Sequence, residues 1–140
     1  MCLICDGMSW EDFERRQELV LQVYGWVLTS IEPEPERGAL GWHYSVGLSE
    51  NFGIPDLLVI DEPDFVAGER ALRFVAESVV DRGWDMAEVA AIYDYGLRPL
   101  DPTILRADTL VDWVARYERF PEPGEMMRLV LPGQAGRRAA

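Results

Sequence analysis

Lysine is absent from this chain: all thirteen of its basic residues are arginine, a bias that coding composition explains more simply than a binding role. Histidine occurs once, at position 43, and cysteine twice, at positions 2 and 5. With no second cysteine pair, the chain lacks the four soft ligands of an ordinary structural zinc site. No run approaches the ~18 apolar residues that a membrane helix needs, so no membrane association is expected. The segment from Met1 to Asp6 has no basic start, apolar stretch or cleavage site, which predicts no signal peptide and a cytoplasmic protein with reduced thiols. A G-x-S-x-G elbow and a phosphate-binding glycine loop are also missing, so no catalytic constellation is recognisable.

What is present is an ordinary globular composition, 49% apolar and 27% charged over 140 residues. That length suits one hydrophobic core, and residues 1–133 read as a single domain. The segment from Gln134 to Ala140 has no apolar anchor and is expected to be a disordered tail. The 25 acidic residues against 13 basic ones give a net charge of −12. Such a surface repels phosphate backbones, which argues against nucleic acid, and attracts a basic protein partner. The same charge also fits a soluble protein whose acidic surface has no binding role.

Hydropathy patterning organises the chain around residues 41–49. Trp42, Tyr44, Val46 and Leu48 alternate with His43, Ser45, Gly47 and Ser49, the period of a half-buried strand. The first set is expected to pack on a helix over 64–82. Leu57-Leu58-Val59-Ile60 is apolar without interruption, as a central strand covered on both faces would be. Ser9 opens a helix running to Tyr24, with Gly25 as its stop; Asp64 and Gly83 bracket the helix with stripe Phe65, Leu72, Val75, Ala76, Val79 and Val80. Residues 26–31, 88–95 and 126–131 read as further strands, and Asp108 as the cap of a helix to about Phe120. Glu32 to Gly38, with two prolines and three glutamates, reads as an exposed hairpin loop. The order predicts an α+β fold: a mixed, largely antiparallel sheet of about five strands with three helices packed on it.

Few residues carry chemistry. Cys2-x-x-Cys5 places two thiolates within reach of one metal ion, and zinc could be completed by His43 and a carboxylate such as Asp6. The plainer reading is two small apolar side chains packing the N-terminus, and thiol chemistry is a third, although no strand precedes the pair as a thioredoxin-type site requires. His43 and Ser45 share a strand face about 6–7 Å apart, too far for a direct nucleophile–base hydrogen bond. His43, Ser45 and Ser49 read either as a solvated polar face or, with Asn51, as a ligand groove left open by small side chains.

Met1-Cys2-x-x-Cys5-Asp6, Gly25-Trp26, Tyr44-Ser45-Val46-Gly47-Leu48, Ile54-Pro55-Asp56-Leu57-Leu58-Val59 and Leu129-Val130-Leu131-Pro132 occur in that order. This set resembles the uncharacterised bacterial family known as domain of unknown function 4262. Where family members often carry histidine before Gly-Trp and before Pro-Glu-Leu, this chain has Tyr24 and Ile54. The resemblance implies a fold and a compartment but no activity. Two functions from different classes follow from the residues. One is a non-catalytic binding or accessory protein that counters a basic partner, as immunity proteins do. The other is a metal- or thiol-dependent enzyme or sensor using Cys2 and Cys5.

Overall fold

The computed structural model describes residues 7–133. Its elements are α1 (Trp10–Tyr24), β1 (Val27–Ile31), β2 (Trp42–Val46), α2 (Leu48–Phe52), β3 (Asp56–Val59), α3 (Phe65–Arg82), α4 (Met86–Ile92), β4 (Gly96–Pro99), α5 (Val111–Tyr117) and β5 (Met126–Val130), with short 3-10 turns at Pro35–Arg37 and Pro102–Ile104. The strands form one sheet in the order β1-β2-β3-β5-β4. Among the described strands only β3 and β5 pair in parallel; the other three ladders are antiparallel. The architecture is therefore the expected α+β fold with a mixed, largely antiparallel five-stranded sheet.

Helices cover the sheet on both faces. On one side Leu57 and Val59 of β3 meet Ala71, Leu72, Val75 and Ala76 of α3 and Val89 of α4. On the other, Tyr44, Val46 and Leu58 meet Leu21 of α1 and Leu110 and Trp113 at α5. All four residues of β3 are buried, as its unbroken apolar run predicts for the central strand. Each fully buried aliphatic side chain here stabilises the fold by roughly 1.5–3 kcal/mol.

The two long helices start and stop where their caps dictate. Ser9 accepts from Asp12 N–H and Asp64 from Ala67 N–H, satisfying donors that the first turn leaves without a partner. Gly25 and Gly83 close them in the left-handed conformation.

Five expectations need correction. Residues 88–95 are not a strand: Asp85 caps α4 through Glu88 N–H, and Met86, Ala87, Glu88, Ala90 and Ala91 are good helix formers without alternation. The strand begins only at Gly96. The 41–49 alternation ends at Val46, because Gly47 at φ 106° turns the chain into α2, which takes up Leu48 and Ser49. Among the described residues there are thus five α-helices rather than three, α2 and α4 being the additions. Asp108 does not cap α5, which ends at Tyr117; the Tyr44 hydroxyl accepts from Asp112 N–H instead. Finally, Tyr44 and Val46 face α1 and α5, and it is His43 that meets α3: a Cβ added at Gly68 would lie 3.1 Å from His43 Cδ2.

Candidate functional site

The polar residues of β2 point into the interior. His43 is 1% exposed. Its Nε2 lies 2.8 Å from the Phe65 carbonyl, which can only accept, so the proton sits on Nε2 and Nδ1 accepts from Ser30 Oγ at 2.7 Å. Burial pushes this imidazole below its ordinary range, while the Phe65 carbonyl and the Glu69 charge oppose that shift. Both ring nitrogens are engaged, so His43 could ligate a metal only by breaking one of these bonds. Cys2 and Cys5, the other residues of the zinc expectation, lie outside the described residues, as does the tail 134–140.

Ser45 is fully buried and binds Asp56, donating to Oδ1 at 2.7 Å and accepting from Leu57 N–H at 2.9 Å. Asp56 also accepts from Leu48 N–H and from Trp113 Nε1. Burial raises the Asp56 carboxyl above its ordinary range, and the bonds from Ser45, Trp113, Leu48 and Ser49 oppose that rise. Ser49 is half-buried, whereas Asn51 is exposed and donates to the Gly25 carbonyl, tying α2 to the α1–β1 turn. His43 and Ser45 thus form neither a solvated face nor a groove: they are the internal joints of the sheet with α2, α3 and α5.

A concave feature lies on the opposite face of β1 and β2. A cleft of about 390 Å³ opens between α1, β1 and α5. Phe13, Leu21, Val27 and Val46 make its apolar walls; Gln17, Thr29 and Asp112 supply polar groups, with Glu14 and Glu18 on its α1 side. This volume falls in the range of small-ligand sites, which are also mostly apolar with a few convergent polar groups.

The position of Asp112 follows from its neighbour. Trp113 is fully buried and anchored to Asp56, which fixes the rotation of α5 and leaves the preceding residue at the cleft. There Asp112 Oδ2 accepts from Thr29 Oγ1 at 3.4 Å, and Thr29 in turn receives a 3.5 Å contact from Gln17 Nε2. Both bonds are long, and an ionised carboxylate has room for about four donors. Partial burial raises the Asp112 carboxyl above its ordinary range, the Thr29 bond opposes this, and Glu14 adds to it. The arginine at the cleft, Arg116, is already held by both oxygens of Glu50 at 2.8 and 3.0 Å and by Glu18 at 3.3 Å. The balance of the cleft is therefore acidic.

Neither Asp56 nor Asp112 stands out in the sequence pattern. A signal existed for Asp56: a lone carboxylate heading a strand buried on both faces must meet internal donors. Asp112 gives none, because its place depends on the Trp113–Asp56 contact. No described helix is long and apolar enough to cross a membrane. None of the curated proteins and none of the solved structures compared with the chain matches it. The family model described as Domain of unknown function (DUF4262) matches residues 20–137, and the chain belongs to that family.

Proposed function

We propose that this domain is a non-catalytic binding or accessory module that holds a cationic side chain of a basic protein partner in the cleft between α1 and α5. The observation that carries this reading is the half-buried Asp112 carboxylate, bonded by one long contact and set among apolar walls with Glu14 beside it. Apolar walls accept the methylene stem of an arginine or lysine, and a carboxylate in a partly desolvated site pairs more strongly with its cationic head than one on an open surface. The chain's net charge of −12 supports the choice, since it draws basic partners and repels nucleic acid.

A capped arginine-containing peptide tests the reading by calorimetry or fluorescence anisotropy. Asp112→Asn keeps the shape of the cleft and removes its central charge, so affinity should fall roughly tenfold. Equal affinity in parent and variant would refute the proposal.

A further inference from the structure

The strand that floors the cleft is also an edge of the sheet: among the described residues β1 pairs with β2 and with no other strand. Its side chains alternate between layers. Thr29 contacts Asp112 on the α5 side, and Ser30 reaches His43 on the α3 side. A second hollow, about 410 Å³, borders the same edge. Its walls are Val20 and Tyr24 of α1 with Trp26 and Leu28, and Glu77 and Asp81 of α3 line its far side. The cation in this hollow, Arg73, is already shared between Glu69 and Glu77. Val27 borders both hollows, so they flank one stretch of β1.

We infer that the outer edge of β1 docks an extended segment of a partner polypeptide as an additional strand, one whose side chains alternate basic and apolar. This rests on the reading of the cleft given above and adds the form of the partner. Successive side chains of a strand point to opposite faces. A strand laid on β1 therefore sends one set toward the cleft carrying Glu14 and Asp112, and the other toward the α3 side, where Trp26, Leu28, Glu77 and Asp81 line the second hollow. Glu14 and Asp112 select arginine or lysine in the first set; in the second, Arg73 already offsets Glu77, and Trp26 and Leu28 beside Asp81 favour valine, isoleucine or leucine. The β1 edge carries no proline, no lysine and no inward-pointing charge, devices that commonly block such pairing. A second copy of the chain is a poor occupant, because each brings a net charge of −12. In strand addition the main chain supplies affinity and the alternating pockets supply specificity.

The probe is a short capped peptide alternating arginine and valine, titrated against the full chain. Two modified forms carry N-methyl groups either on every arginine or on every valine; both keep charge and side-chain order. Alternate N–H groups of a strand point to opposite edges, and only one edge meets β1. Methylation of one set should therefore weaken binding roughly tenfold or more, while methylation of the other set costs far less. Equal affinity of all three peptides, or equal loss in both modified forms, would overturn strand addition. If all three bind alike and Asp112→Asn still weakens them, the cleft reading stands without it. If the unmodified peptide does not bind at all, both fall.

Discussion

Trp113 donates its indole N–H to Asp56 Oδ2 at 3.1 Å, across the interior from α5 to the start of β3. Both residues have no measurable exposure. This bond joins the helix that carries Asp112 to the strand at the centre of the sheet. Trp113→Phe keeps most of the apolar volume and removes the donor, leaving the Asp56 carboxylate with one partner fewer. Stability should fall by about 2 kcal/mol, the desolvation cost of an under-satisfied buried acceptor. Urea unfolding measures it, and an unchanged midpoint would contradict the role given to this bond.

Removing the carboxylate itself should cost more. Asp56→Ala would strand the Ser45 hydroxyl, the Leu48 N–H and the Trp113 indole at once. The expected loss is about 3 kcal/mol or more, and urea unfolding with retained near-native circular dichroism would check it.

Gly47 predicts a backbone effect. Its φ of 106° is strained for any L side chain, and a Cβ there would sit 2.6 Å from the Gly25 carbonyl oxygen. Gly47→Ala should therefore destabilise by about 2–4 kcal/mol, because the α1–β1 turn and the end of β2 would have to separate. Gly53 also has positive φ, but a Cβ added there would meet nothing within 4 Å, so Gly53→Ala should cost distinctly less. Equal unfolding midpoints for the two variants would show that the close approach at Gly47 has no energetic weight.

The pH dependence of stability should carry a signature of His43. Burial holds its folded-state pKa below the ordinary 6.5. As the pH falls, the unfolded chain takes up that proton first. The stabilisation from neutral His43 is complete above 6.5 and declines below it, down to the folded-state value. Asp56 works in the opposite sense: raised above 3.8, it favours the protonated folded state, and its contribution declines as the pH rises through the folded-state value. Urea titrations from about pH 7 to about pH 5 should show stability falling in the parent and a shallower fall in His43→Gln. Identical slopes would contradict the assignment.

Which parts of this were legible in the sequence depended on whether the signal was local. The caps at Ser9 and Asp64 and the stops at Gly25 and Gly83 are local, and they placed α1 and α3. The unbroken Leu57-Leu58-Val59 run placed the central strand. The alternation of β2 separated its two faces, but both are covered by helices, and period alone cannot say which helix covers which face. Helix α4 was masked by β-branched and aromatic residues at Val89, Ile92 and Tyr93, and the short strand after it holds only Gly96-Leu97-Arg98-Pro99. The cleft was illegible for a different reason. Gln17, Thr29 and Asp112 come from three separate elements and meet only once α5 is pinned by Trp113 to Asp56.

Cation binding in the cleft also has a pH signature. Because the Asp112 carboxyl is raised above 3.8, it protonates at a higher pH than an ordinary aspartate. Affinity for an arginine peptide should therefore weaken on acidification before the exposed carboxylates titrate, and Asp112→Asn should flatten that early decline. Anisotropy titrations across the acid range would measure it, and an equal decline in parent and variant would assign the effect to other groups.

The most direct test of the central claim is a nuclear magnetic resonance titration of the full chain with an arginine-containing peptide. Binding in the cleft should concentrate the shifts on the Gln17 side-chain amide and the backbone amides of Thr29, Asp112 and Arg116, the residues that converge there. Absence of shifts at saturating peptide, or shifts confined to residues away from α1, β1 and α5, would contradict it.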